Sequence, residues 1–465
     1  MDDQPLRGSR SPLSLRTLPL LMLWALLWTA RGPLSAEPIA GSIAEPAAEG
    51  DSSVKGLSAW LDELTTEALS ARLELSAARS SLSAARSALK ASERWSNPRA
   101  LYRYAPLPLE TKRGETPHSF GLSQRLPAWG ELEGERRLKE AQLRLQDRSL
   151  AVQAREVGFE LKRALWELWG AERALERLDA LEAWLQARAE SVSAELSLGS
   201  APLSALLTLK QRLELLSVRR LDLSAQVERA RVDLGLALGR PEPFTGVVPS
   251  TLSELLKPIS VTGPQRSARE GAQRPHSPVV ERAARALEVA EAQSERLRAS
   301  QRSQLELGLQ WVVVQDQGGP SPMGRDALIA QIALTLPTWR ASDRAALEAS
   351  AAQASAARAL RDRAEERWRA QLSLAEIKIR ALNTQAERYE AQLLPQQRAL
   401  IEAIEGEVSV NSAPLTRLLD AAAREEELAT ARDLLLTQLG VAWARWELLA
   451  GAPISSSQPT GAQYE

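Results

Sequence analysis

Two stretches of the chain alternate apolar and polar residues with a period of two, while most other apolar residues recur at helical spacing. Gln304 to Val314 puts Leu305, Leu307, Leu309, Trp311 and Val313 on one side and Gln304, Glu306, Gly308 and Gln310 on the other. A returning run sets Leu328, Ala330, Ile332, Leu334 and Leu336 against Gln331 and Thr335. Period two is the pleat of a β-strand. Asp316 to Arg325 (DQGGPSPMGR) between them has the composition of a turn, so the pair reads as a hairpin. An earlier counterpart is weaker. Ser119 to Leu126 alternates Phe120, Leu122 and Leu126 against Ser119, Gly121, Ser123 and Arg125, but its partner around Leu101 to Leu109 is interrupted by Pro106 and Pro108.

Helical patterns flank both hairpins. Trp60 to Trp95 and Val279 to Ser300 are rich in Ala, Leu, Glu and Arg and contain no Pro or Gly. After each hairpin a much longer pattern begins. Glu131 to Leu196 runs 66 residues without proline, about 100 Å of helix at 1.5 Å per residue. Its apolar residues keep a seven-residue register, with Leu161, Leu168 and Leu175 at one position and Ala164, Ala171, Leu178, Leu185 and Val192 at the other. That period predicts a left-handed coiled coil. Ala341 to Glu405 repeats the plan, with Pro395 predicting a kink. Each long pattern reaches a Ser-Ala-Pro-Leu turn and returns through Leu203 to Leu238 or Leu415 to Leu449. Proline suits the first turn of the returning helix, where its missing N–H has no intrahelical partner.

The two halves are copies. Leu126-Pro127-Ala128-Trp129 recurs as Leu336-Pro337-Thr338-Trp339, 210 residues later. Ser200 to Leu207 (SAPLSALL) recurs as Ser412 to Leu419 (SAPLTRLL), and Gly239-Arg240-Pro241 as Gly451-Ala452-Pro453, both at an offset of 212. Three matches in one order at nearly one offset indicate internal duplication. The expected organisation is a first repeat over 57–241, with its hairpin at about 100–128, long helix at about 131–196 and returning helix at 203–238. A Pro/Gly-rich linker follows at 242–277. The second repeat covers 278–453, with its hairpin at about 303–338, long helix at about 341–405 and returning helix at 415–449, before a tail at 454–465.

Composition narrows the classes. With 58 Lys+Arg against 59 Asp+Glu, no charge excess invites nucleic acid. No cysteine excludes disulfides, zinc ribbons, iron–sulfur clusters and a lipid anchor on cysteine. His118, His276 and three Met do not make a metal cluster, and no cofactor motif is found. Arg7, Arg10 and Arg16 before the apolar Leu18 to Trp28 read as a secretory signal over residues 1–36, cleaved after Ala36 or Ala30. The mature chain then carries a net charge of about −3. No later segment has the apolar length of a membrane helix.

An exported hairpin with one apolar face fits a strand pair with lipid outside and water inside, or an amphipathic hairpin packed on a soluble core. In the membrane reading, four strands cannot close a barrel, so several chains would share one. Trp129 and Trp339, at strand–helix junctions, suit an aromatic belt at the bilayer surface or a buried loop position.

In this duplicated order, in Leu-Ser-Gln-Arg-Leu-Pro (Leu122 to Pro127) ending a strand, and in Gly239 and Gly451 closing the halves, the chain resembles the TolC family of outer-membrane efflux channels. The resemblance covers nearly all of the mature chain. It implies a mostly α fold with a small membrane β-barrel contribution: a homotrimer sharing one twelve-stranded barrel embedded in outer-membrane lipid, continued by a coiled-coil α-helical tunnel across the periplasm. It implies an export duct of a tripartite efflux or type I secretion system, working with a periplasmic adaptor (membrane fusion) protein and an inner-membrane RND or ABC pump. The adaptor would dock on the tips, at Gly199, Ser200, Pro202, Leu203, Leu206 and Leu207 and at Ser412, Pro414, Leu415, Leu418 and Leu419. Family tips often carry Asp where Ala205 and Arg417 stand here. Asp420 matches a second carboxylate position that rings the closed aperture in some members, with Arg417 beside it; alternatively it is a solvated residue paired with an Arg. Leu-Ser-Gln and Asn97-Pro98 are also similar to the branch coupled to heavy-metal exporters. No nucleophile–base pattern or phosphate loop suggests an enzyme. The rival expectation is a periplasmic adaptor or coiled-coil scaffold without a pore.

Overall fold

A computed structural model of the chain describes residues 50–105, 110–111, 114–199, 202–256, 277–315, 326–335, 340–409 and 414–451. The signal segment, the tail after Gly451, Ser200, Leu336, Trp339 and Ser412 lie outside the described residues.

The first half comprises α1 (Gly50–Ala71), α2 (Leu73–Ser92), strands β1 (Arg99–Tyr104), β2 (Glu110–Thr111) and β3 (Gly114–Leu126), then α3 (Glu131–Ser197) and α4 (Leu203–Leu238). The second comprises α5 (Pro278–Ser300), β4 (Gln304–Gln315), β5 (Ala327–Thr335), α6 (Arg340–Arg388), α7 (Leu394–Ser409) and α8 (Leu415–Ala450). All strands join one antiparallel sheet in the order β1-β3-β4-β5, with the short β2 also on β3. The two hairpins are therefore not separate: β3 of the first half bonds to β4 of the second, from Leu126↔Leu305 to Glu115↔Gln315.

α3 is the central element and packs against α2, α4, α5 and α8. Its 67 residues span about 100 Å. The heptad positions Leu161, Ala164, Leu168, Leu178, Leu185 and Val192 are buried, and Ala171 and Leu175 pack against the same core. Each fully buried leucine contributes about 1.5–3 kcal/mol of transfer free energy.

Two features of the helices go beyond the sequence expectation, and each has an identifiable cause. The helical run from Trp60 breaks at Arg72, whose backbone is extended (φ −67°, ψ 121°). The guanidinium there donates to the Leu236 carbonyl at 2.9 Å and to Glu160. Gly239, left-handed at the end of α4 (φ 82°), lies so close that a Cβ on it would be 3.1 Å from the Ala71 carbonyl carbon. Tertiary contact, not helix-breaking chemistry, makes this break. Just before Pro395, where the sequence predicts a kink, the helix makes one π-helical turn, Tyr389–Leu393, in which Leu394 N–H bonds Tyr389 O. The wider turn accommodates the proline, which lacks an N–H and would crowd the preceding carbonyls in a regular α-helix.

The described part of the 242–277 segment is no free linker. Phe244, Val248, Leu252 and Leu256 are buried in the same core as α3, the last two on a 3₁₀ helix (Ser250–Leu256), and Trp169 Nε1 donates to Ser250 O at 3.3 Å.

Candidate channel wall and helical tips

The ladder registers assign every sheet residue to a face. One face carries the rows Ala100–Leu122–Leu309–Ala330, Tyr102–Phe120–Trp311–Leu328 and Leu126–Leu305–Leu334, together with Leu307, Ile332 and Val313. It is apolar across four strands and uncovered: Ile332 is 75% exposed and Leu328 71%. Gln124 falls on this side but turns its amide to Ser96 O (2.7 Å) and Arg125 O (3.1 Å). The other face is mixed: Arg99, Arg103, Ser119, Ser123, Arg125, Gln304, Glu306, Gln310, Gln331 and Thr335 share it with Gly121, Gly308 and the apolar Leu101, Val312, Ala327, Ile329 and Ala333. Across it Gln331 Nε2 donates to Gln310 Oε1 (3.2 Å) and Gln310 Nε2 donates to Ser119 Oγ (2.9 Å), a polar ladder spanning three strands.

Exposed aromatic side chains stand at both ends of the sheet. Away from the helices, Tyr104 stacks on His118 at 5.2 Å, Tyr102 hydroxyl lies 2.9 Å from His118 Nδ1, and Phe120 packs between Tyr102 (5.1 Å) and Trp311 (6.4 Å). Trp311 Nε1 donates to Asp326 Oδ2 at 3.0 Å. At the helix end Trp129 is 89% exposed, so it is not a buried loop residue; Arg302 Nη1 donates to its carbonyl at 2.8 Å.

The helical tips lie at the other end of α3, α4, α7 and α8. Gly199 takes φ 73° in the first turn, with nothing within 4 Å of where a Cβ would stand, and Pro202 and Pro414 cap the returning helices in extended conformation. The tip leucines divide by burial. Leu206 packs with Leu209, Leu185, Val192 and Leu419, while Leu418 packs with Ile404 and Ala421; Leu415 bridges both clusters. Leu206, Leu418 and Leu419 are thus used inside the subunit, because the helices of the two hairpins need an apolar seam between them. The described apolar surface left at the first tip is Leu198, Leu203 and Leu207, at 82%, 57% and 57% exposure.

Charge ties the hairpins together along α8. Asp420 accepts from Arg212 of α4 at 2.5 Å, Glu426 from Arg219 of α4 at 3.2 Å, and the buried Asp433 from Arg177 of α3 and from Arg432 at 2.7 Å. Arg417 turns away, to Glu407 of α7 at 3.0 Å. Nearer the middle, burial raises the Glu172 carboxyl above its ordinary value even though Arg231 of α4 donates to it at 3.3 Å. Between α3, α7 and α8 a cavity of about 250 Å³ is bounded by Arg177, Leu181, Trp184, Ile401, Ala422 and Glu426.

Sequence reasoning singled out Asp420 and Arg417 but not Arg212, whose distance of 208 residues from Asp420 leaves no local signal. Among the described residues there is no group of three or more His, Cys, Asp or Glu placed to hold a metal ion, and no helix is long and apolar enough to cross a membrane.

No protein-family model matches this sequence, and no curated protein matches it significantly. Solved structures match its fold. The outer-membrane channel OprN aligns over 85% of this chain and 90% of its own, with a TM-score of 0.67 and 17% identity. The outer membrane protein VceC of Vibrio cholerae aligns over 84% and 96% (TM-score 0.66, 15% identity), and the CmeC outer membrane channel of Campylobacter jejuni over 90% and 90% (0.66, 11%). The chain has the fold of TolC-type outer-membrane channels.

Proposed function

We propose that this chain is one subunit of a trimeric outer-membrane export duct, a member of the TolC family, carrying substrate passively from an inner-membrane RND or ABC pump to the exterior. The observation that carries this reading is the sheet. It has a largely uncovered apolar face, a face crossed by a hydrogen-bonded polar ladder and two strand edges, β1 and β5, without a further strand among the described residues. Such a face is costly in water, and open edges are costly in lipid. Three copies joined edge to edge, β5 of one to β1 of the next, remove both costs in a twelve-stranded barrel. β4, Gln304–Gln315, is about 37 Å long and at a barrel tilt of about 35–45° covers about 26–30 Å, comparable to the apolar band of about 25 Å on outer-membrane barrels. The Tyr104–Trp311 cluster and Trp129 then sit as the two aromatic girdles.

The tips supply docking and gating. Leu198, Leu203 and Leu207 offer the adaptor an apolar contact, while Leu206, Leu418 and Leu419 hold the hairpins against each other from within. Arg212–Asp420 is a clasp between the hairpins whose release widens the periplasmic end. With its carboxylate engaged by Arg212, Asp420 is better suited to this clasp than to holding cations in a ring. A pore-free scaffold would leave the apolar sheet face unexplained.

The test is fractionation followed by cross-linking of the detergent-extracted protein. The duct predicts recovery with outer membranes and a cross-linked trimer. Recovery as a soluble periplasmic monomer would rule it out.

A further inference from the structure

Arg99 and Arg103 lie four residues apart on β1, on the same face as Ser119, Ser123 and Gln310. The register puts Arg99 opposite Ser123 and Arg103 opposite Ser119, so neither faces a carboxylate across the ladder. Both are exposed, and neither forms an ion pair among the described residues. The third arginine of this face differs: Arg125 stands opposite Glu306 and also reaches Glu131 at 3.2 Å. Glu306 is the one carboxylate among the described side chains of the face, and it is matched by Arg125. Among the described side chains of the wall opposite the apolar side, Arg99 and Arg103 therefore leave an uncompensated positive charge of two per chain.

We infer that the strand-lined part of the lumen selects for anions, and that Arg99 and Arg103 are the residues that set this preference. The inference rests on the duct reading, which makes the polar face the lumen. In the trimer the two arginines repeat around the axis as two rings, about 13 Å apart along the strand. Fixed cationic rings in a narrow aqueous passage bounded by low-dielectric walls concentrate anions and exclude cations, the arrangement used by anion and phosphate pores. A solute carrying carboxylate, sulfate or phosphate groups gains on entry. A bare metal cation is repelled, which argues against the heavy-metal substrate suggested by the Leu-Ser-Gln sequence.

Reversal potentials in planar bilayers test this, with potassium chloride gradients whose dilute side is near 0.1 M, where the Debye length is still about 10 Å. The wild-type trimer should reverse towards the chloride equilibrium potential, and Arg99→Glu with Arg103→Glu should move the reversal towards that of potassium. Because the chain has no cysteine, Arg99→Cys and Arg103→Cys give a second readout within one folded protein. A cationic methanethiosulfonate reagent should restore chloride preference, and an anionic one should deepen its loss. Conductance with an unchanged reversal potential in all these variants, or a wild type that prefers potassium, overturns the inference while leaving the duct standing. No trimer-sized conductance from any of them overturns the duct and this inference together.

Discussion

The guanidinium of Arg212, in the third turn of α4, lies 2.5 Å from the carboxylate of Asp420, in the second turn of α8. This ion pair is the one nearest the tips among those joining α4 to α8. Asp420 is largely exposed, so the pair contributes about 0–1 kcal/mol to stability. Its effect is expected on opening rather than on folding. Asp420→Arg or Arg212→Glu should raise the open fraction in bilayer recordings with little change in melting temperature, and the double charge swap should return conductance towards wild type. Unchanged conductance in both single variants would remove the clasp from the account.

Leu309 and Gln331 occupy opposite faces of neighbouring strands. Arg placed on the lipid side of a barrel near the midplane costs about 2–4 kcal/mol. Leu309→Arg should therefore deplete the trimer from outer-membrane fractions, while Gln331→Arg should assemble normally. Equal behaviour of the two would argue against the assignment of faces.

Gly440 on α8 packs under Trp166 of α3, and a Cβ added there would stand 2.2 Å from the indole. Gly440→Ala should destabilise the helical body by about 1–3 kcal/mol, as overpacked cores do, read as a lowered urea midpoint. Trp166→Leu in the same chain should recover part of the loss.

Asp433 and Arg417 separate buried from exposed ion pairs. Asp433, 3% exposed at its side chain, holds Arg177 and Arg432. Asp433→Leu takes the shared carboxylate from these two partly exposed cations and should cost about 1–3 kcal/mol. Arg417→Ala breaks an exposed contact with Glu407 and should cost less than about 1 kcal/mol. Chemical denaturation of the two variants compares them directly.

Much of this architecture is legible because it is local. The alternation of Leu305 to Val313 fixes a face of β4 in any fold that keeps the strand, and the seven-residue spacing of Leu161, Leu168, Leu178, Leu185 and Val192 fixes the buried stripe of α3. What the sequence hides is decided by residues far apart in the chain. The break at Arg72 depends on Leu236 and Gly239, the joining of the hairpins depends on β3 meeting β4, and the partner of Asp420 is 208 residues away. Burial of Phe244, Val248, Leu252 and Leu256 was likewise masked by the prolines and glycines around them. At the tips, SAPLSALL and SAPLTRLL give the turn, but only packing separates the exposed Leu203 and Leu207 from the buried Leu206, Leu418 and Leu419.

The central claim is that three copies enclose one water-filled pore, and single-channel recording in planar bilayers tests it most directly. Purified protein should insert in steps of one uniform conductance, and charge reversal at Asp420 should increase the open fraction of those steps. Well-folded, membrane-extracted protein that never produces such steps would contradict it.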